Sequence, residues 1–287
     1  MDEVPFVSII VPTRNRALLL EGCVRSLALQ DYPRQRYEVV VVDDGSCDGT
    51  REGLNAIVSQ VVVPRIRYVR SEIHGANAKR NAGVQVASGN LLCFVDDDVV
   101  APPQWLHELV RALVSHEVEL AWGPVILPPE LVLPGRHRSE VAGYLSEAKE
   151  PEVPLLCNMV AQRAVFRRGA FDCRWSAPVE EIEWLLRTNP SKAFASDAWL
   201  WHHKTKEDCT VPRLLKLAWS RGAESGRFDR FRMSNGLRPP VRGAIGALRA
   251  IGHAFRSRCV GGLLVAAGRA GYVFGYGIAP QRRNSAL

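Results

Sequence analysis

The sequence predicts an α/β protein with a doubly wound, mostly parallel sheet. Three observations carry this reading. Short apolar runs rich in β-branched residues alternate with stretches of helical spacing from Phe6 to Asp98. The linking stretches are long enough for the crossover helices that parallel neighbours require. The runs end in polar clusters, as strands do at the ligand edge of such a sheet.

"FVSIIVP", Phe6 to Pro12, is apolar, β-branched and stopped by proline, which reads as a buried strand. "ALLLEGCVRSLALQ", Ala17 to Gln30, sets Leu19, Cys23, Ser26 and Leu27 on one helical face. "YEVVVVDDGSCDGT", Tyr37 to Thr50, is a second strand ending in acids and a glycine-containing turn, and the helix-like "REGLNAIVSQ" follows it. "IRYVRS" is a third strand. "GANAKRNAGVQVAS", Gly75 to Ser88, has helical spacing through Ala78, Ala82 and Val86, stops at Gly89, and leads into the strand "LLCFVDDD". Beyond the helix "PQWLHELVRALVSH" the pattern loosens. "LAWGPVILP" reads as a strand, "LCNMVAQRAVF" as a strand leading to a turn, "EEIEWLLRT" as an acid-started helix and "KAFASDAWLWHHK" as a final strand. Val211 to about Arg232 looks helical, and "RGAIGALRAIGHAFRSR" carries an apolar stripe interrupted by arginines.

At the carboxyl ends of the first, second and fourth strands stand Thr13-Arg14-Asn15, Asp43-Asp44 and Asp96-Asp97-Asp98, which a strand-order switch would bring together. Adjacent carboxylates repel, and a divalent cation removes that penalty. Along an extended strand end, Asp96 and Asp98 share a face and Asp97 points across it. That arrangement suits a hard ion such as Mg2+ or Mn2+, which keeps positions open for phosphate oxygens. The triplet alone fits an acidic turn before the next helix better than a metal site.

The composition is that of a globular protein, 47% hydrophobic over 287 residues, with material for one large domain or a domain plus an appendage. The seven cysteines form no CxxC pair, which argues against a zinc site or a disulfide framework and fits a reducing cytosol. The acidic start "MDEVPFVSIIVPTRNR" shows no secretory signal. Net charge is +7, yet Thr210 onward holds 14 Lys and Arg against two acids, and the preceding residues hold 23 against 28. A basic, Gly- and Arg-rich tail on an acidic body suits anionic lipid head groups, and equally a solvated helical face. "CVGGLLVAAGRAGYVFGYGIA", Cys259 to Ala279, approaches spanning length, but Arg269 at its middle and its many glycines favour a helix on the interface or against the body.

These elements, in order, resemble the family-two glycosyltransferases, inverting enzymes with the GT-A fold. The match runs over roughly residues 5 to 205, through "VSIIVPTRNR", "VVVVDDGSCDGT", "NAKRNAGVQVASGNLLCFVDDD", "EEIEWLLR" and a strand carrying histidine. The resemblance implies a GT-A domain over 1–209, with a nucleotide-sugar half (1–100) and an acceptor half (101–209), and a basic helical extension over 210–287. It also implies a nucleoside-diphosphate sugar donor, a Mn2+ or Mg2+ ion and a glycan or glycolipid acceptor. No nucleic-acid partner is expected, and the implied location is cytoplasmic, peripheral at the inner face of the plasma membrane.

Residue roles follow from the same resemblance. Pro12, Thr13 and Arg14 would surround the base and ribose, Asp44 with Asp43 beside it would accept from the base, and Arg80, with Lys79 its rival, would meet the nucleotide. Asp96 would contact the ribose side, and Asp98 would hold the metal as a Lewis acid on the diphosphate. Asp97 joins the donor-binding set as the member expected to tolerate change best. Inversion needs a base for the acceptor hydroxyl. Glu181 is the candidate and Glu180 its rival, although the family usually carries Asp where Glu181 stands. Either His202 or His203 would complete the metal shell, with His202 favoured by motif position. Asn158 and the "FRRGAFD" segment would lie on the acceptor side, and Trp184, one turn after Glu181, would line the acceptor subsite with its ring face or, at least as readily, pack in the core. A sugar-1-phosphate nucleotidyltransferase would want a glycine-rich loop that "PTRNRALLL" lacks. A nucleotide-sugar-binding protein without transfer activity would differ only at the base.

Overall fold

The computed structural model describes residues 4–60, 63–134, 141–142, 145, 147–149, 153–232 and 260–278. Its centre is four parallel strands, β1 (Val7–Thr13), β2 (Tyr37–Asp43), β3 (Arg65–Arg70) and β4 (Leu91–Val95), linked by helices α1 (Ala17–Ala28), α2 (Thr50–Val58) and α3 (Ala76–Val86). β5 (Val99–Val100), α4 (Trp105–Ser115), β6 (Leu120–Trp122), β7 (Val125–Ile126) and β8 (Asn158–Gln162) follow, then α5 (Val179–Thr188), β9 (Lys192–Phe194) and β10 (Leu200–His202). The large sheet has the order β3-β2-β1-β4-β8-β6-β9, with β8 antiparallel to both its neighbours. The α/β class and the mostly parallel sheet stand as the sequence predicts.

β1, β2 and β4 are buried on both faces, which is why they read as unbroken apolar runs. Alternation divides them between two cores. Val7, Ile9, Val11, Val39, Val41, Cys93 and Val95 pack with α1, α2 and α4, whereas Ile10, Val40, Val42, Leu92 and Phe94 pack with α3 and α5. Each such fully buried aliphatic side chain contributes roughly 1.5–3 kcal/mol. The resulting double-sided support holds the carboxyl edge of the sheet rigid.

Two strands expected from the sequence are each split. "LAWGPVILP" breaks at Gly123-Pro124 into β6 in the large sheet and β7 in a three-stranded sheet of order β5-β10-β7. "KAFASDAWLWHHK" likewise divides into β9 and β10, one in each sheet. Glycine at 123 makes the crossing possible, because a Cβ there would lie 2.0 Å from the carbonyl oxygen of Ala198.

The chain divides into two compact units. The first comprises Met1–Pro128, Ala148–Arg174 and Glu180–His203, the second Pro129–Glu147, Trp175–Val179 and Lys204–Leu287. In the second, α6 (Val211–Arg232) lies alongside α7 (Val260–Ile278) at backbone distance. A Cβ on Gly222 would lie 1.8 Å from the Gly268 carbonyl oxygen, one on Gly226 2.1 Å from that of Tyr272, and one on Gly275 1.8 Å from that of Ala223. The ascending order of these pairs makes the two helices parallel. No described helix is long and apolar enough to cross a membrane. The arginine-interrupted stripe at 242–258, the first residues Met1 to Glu3, Cys259 and Ala279 lie outside the described residues.

Candidate functional site

The three acids after β4 form a turn into β5 rather than a continued strand. β10 pairs antiparallel with β5, setting His202 opposite Val99 and Trp201 opposite Val100. That register delivers His202 Nε2 to 2.9 Å from Asp98 Oδ1, while the backbone N–H of His203 donates to the Asp98 carbonyl at 2.7 Å. His202, 2% exposed, is thus the histidine whose ring faces the acids. Asp96, Asp98 and His202 each offer a ligand atom, all within 4.8 Å of one another. Two carboxylate oxygens and an imidazole nitrogen make a mixed donor set that suits Mn2+ better than Mg2+, which prefers oxygen throughout.

Asp97, the member expected to tolerate change best, is buried, at 3% exposure. In the turn its side chain goes inward, accepting from Thr13 Oγ1 at 2.7 Å and from Arg16 Nη1 at 2.7 Å. Burial pushes its carboxyl up to about 6 against the pull of the Arg16 charge. Arg16, whose Nη2 also donates to Asp98 Oδ2 at 3.0 Å, is a residue that sequence reasoning missed. It sits in "PTRNR", one position beyond the cluster that was read.

Arg80 and Lys79 point to different places. Arg80, 4% exposed, donates from Nη1 to Glu180 Oε1 at 3.0 Å and from Nη2 to Asp96 Oδ1 at 3.1 Å, joining α3, the β4 turn and the start of α5. Lys79 instead donates from Nζ to the Thr13 carbonyl at 3.2 Å and lies 3.9 Å from Asp44 Oδ2. Arg80 therefore belongs with the acids of α5, and Lys79 with the loops after β1 and β2. Glu181, next to the paired Glu180, has an Oε2 that is buried and without a hydrogen-bond partner among the described residues. Burial first, and then the charge of Glu180, raise its carboxyl well above the ordinary 4.5.

At the end of β2 the two aspartates also differ. Asp43 accepts from the Ser46 N–H and hydroxyl and from Tyr68 Oη at 2.7 Å, so it shapes the turn. Asp44 is ringed by donors: the Gly75 N–H at 3.2 Å, His74 Nδ1, Arg14 Nη1 at 3.6 Å and Lys79. Burial opposes its charge, but the His74 and Gly75 contacts outweigh that and hold its carboxyl below the usual range. His74 was not foreseen, although it stands at the carboxyl end of β3 immediately before the helix-starting Gly75. Pro12 is buried within β1, opposite Val42.

Asn158 and Trp184, both expected on the acceptor side, are wholly buried, Trp184 in the core-packing alternative. Asn158 accepts from Trp105 Nε1 at 2.8 Å and donates to the Pro124 and Ala198 carbonyls at 2.7 and 2.8 Å. It ties β8 to the segments where the strands split. Trp184 donates to the Gly169 carbonyl at 2.9 Å and packs 5.0 Å, centroid to centroid, from both Phe166 and Phe171.

Comparison with known proteins places this arrangement. The description "Glycosyl transferase family 2" matches residues 8–175. Glycosyltransferase AglE of Haloferax volcanii is 37% identical over 121 residues, 42% of this chain and 40% of its own length. The putative colanic acid biosynthesis glycosyl transferase WcaA of Escherichia coli is 28% identical over 176 residues, 61% of this chain and 59% of its own. The chain thus spans about two fifths to three fifths of these relatives. Among solved structures, the mannosyltransferase PcManGT from Pyrobaculum calidifontis, in complex with GDP-Man and Mn2+, superposes with a TM-score of 0.68 at 18% identity, covering 95% of this chain and 88% of that one. TarS 1–349 of S. aureus in complex with UDP gives 0.56 at 18% identity, covering 94% and 89%.

Proposed function

The chain belongs to glycosyl transferase family 2, and on that premise we propose that it moves a sugar, with inversion, from a nucleoside-diphosphate sugar to a hydroxyl of a glycan or glycolipid acceptor. The observation that carries this reading is the meeting of two groups in one place. One is the ligand set Asp96, Asp98 and His202; the other is Glu181, whose Oε2 is buried without a hydrogen-bond partner among the described residues and which follows Glu180, the residue that Arg80 ties to Asp96. A divalent cation held by these ligands, Mn2+ by the chemistry of the set, would supply Lewis-acid stabilisation for the departing diphosphate.

The chain's own residues do the rest. The loops after β1 and β2, with Thr13, Arg14, Asp44 and Lys79, receive the base and ribose. Arg80 pairs with Glu180 and fixes it in place, leaving Glu181 to take the proton of the attacking hydroxyl. A carboxyl raised toward neutrality is a better base than an ordinary one, because its proton affinity is closer to the working pH. Glu at this position reaches one methylene further than the Asp usual in the family, so the base stands further from α5. The basic segment after Thr210 is proposed to meet anionic lipid at the inner face of a membrane.

The test is donor turnover. Purified protein with Mn2+ should slowly hydrolyse one NDP-sugar from a panel carrying uridine, guanosine and thymidine, and Asp98→Ala should abolish that hydrolysis. Failure to bind or hydrolyse any donor would remove the proposal.

A further inference from the structure

We propose that Trp219 and Phe274, side by side on α6 and α7, form an apolar ridge that seats in the head-group layer of an anionic phospholipid bilayer. This deepens the membrane reading above and rests on it. Trp219 is 42% exposed and Phe274 50% exposed, with ring centroids 5.7 Å apart, so the pair is one contiguous aromatic surface. Leu263, 37% exposed, extends it: the 11 residues from Leu263 to Phe274 are about three helical turns, which returns both to the same face of α7. On α6, Arg213 and Lys216 precede Trp219 at successive intervals of three residues, and all three are exposed.

The structure behind the ridge explains why it stands out. Gly222, Gly226, Gly271 and Gly275 let the two backbones approach closely. The large side chains therefore cannot fill the seam. Trp219 and Phe274 instead meet each other at the outer edge of the pair, where both remain about half exposed.

The occupant follows from charge and side-chain chemistry. Tryptophan and phenylalanine beside arginine and lysine are the composition of helices that lie in a membrane interface. From Thr210 onward 14 bases face two acids, so this segment attracts anionic head groups and repels a second copy of itself. Arg269, exposed near the middle of α7, opposes insertion across the bilayer but suits a helix lying along its surface.

The experiment uses the full chain with phosphatidylcholine vesicles, with and without phosphatidylglycerol. Wild type is expected to co-sediment with the phosphatidylglycerol vesicles. The double variant Trp219→Ser, Phe274→Ser should partition roughly tenfold less, and the double variant Arg213→Gln, Lys216→Gln should lose part of the preference for phosphatidylglycerol. Because the serine variant removes two packed rings, a conservative arm runs beside it. Brominated acyl chains should quench wild-type fluorescence more than that of Trp219→Phe, which keeps an apolar ring. Undiminished binding by the serine variant, or equal quenching with Trp219→Phe, would overturn the ridge and leave the membrane reading standing. No binding by wild type overturns both. A lipid-free dimer that the serine variant dissolves would assign the ridge to self-association and overturn the proposal.

Discussion

Glu180 and Glu181 are chemically identical neighbours, and their surroundings give them different work. Glu180 spends its charge on Arg80 at 3.0 Å, whereas Glu181 Oε2 is buried without a hydrogen-bond partner among the described residues. Replacing Glu181 with Gln keeps shape and removes the base, so kcat should fall roughly 10²–10⁴-fold while donor affinity is unchanged. Retained transfer would move the role to Glu180. The pH profile is a separate check. Because burial and Glu180 raise the Glu181 carboxyl, its basic form appears only as pH climbs well above 4.5. The rising limb of kcat should therefore lie on the neutral side of the ordinary carboxylate range. Arg80→Gln tests the other half of the arrangement. It strands Glu180 and Asp96 without their shared cation, which should cost about 3 kcal/mol in urea unfolding and move that limb to still higher pH.

Elements built on simple periodicity were legible in the sequence. β1, β2, β4 and α1 lie where the apolar runs and helical spacing put them, because each carries its own burial pattern. The second half was legible in kind and not in connection. Nothing local in "LAWGPVILP" says that the residues on either side of Gly123 join different sheets, since that depends on the Ala198 carbonyl passing within reach. For the same reason Asn158 read as a site residue. A buried amide bridging Pro124, Ala198 and Trp105 has no periodic signature. Asp97 turns inward because strand alternation does not survive the turn that follows Val95. These connections give a prediction at this scale. Gly123→Ala would set a methyl 2.0 Å from a backbone oxygen that cannot rotate away. The large and small sheets should then separate locally, at a cost of about 1–3 kcal/mol in chemical denaturation, with a lower kcat because β10 carries His202.

For the whole molecule, the carboxylate cluster makes ligand binding and stability one question. Asp96, Asp97 and Asp98 are held in the unliganded fold by Arg16, Arg80, Thr13 and His202, so the chain folds with its charges already partnered. A cation entering at Asp96, Asp98 and His202 adds positive charge where a diphosphate would arrive. The two ligands should therefore raise each other's affinity by the same factor. In a thermal unfolding series, Mn2+ and nucleoside diphosphate together should shift the midpoint further than the sum of their separate shifts. At about 100 times its Kd, a ligand stabilises by roughly 2.7 kcal/mol, which for a chain of this size is several degrees and easily resolved. Asp98→Asn separates the contributions. It removes charge from the cation site while leaving Thr13, Asp44 and Lys79 at the nucleotide loops, so the excess shift should vanish and the nucleotide-only shift should remain. If Asp98→Asn keeps the full excess, the cation binds elsewhere and the assignment of Asp96, Asp98 and His202 fails. If neither ligand shifts wild type at any concentration, the donor site itself is misplaced.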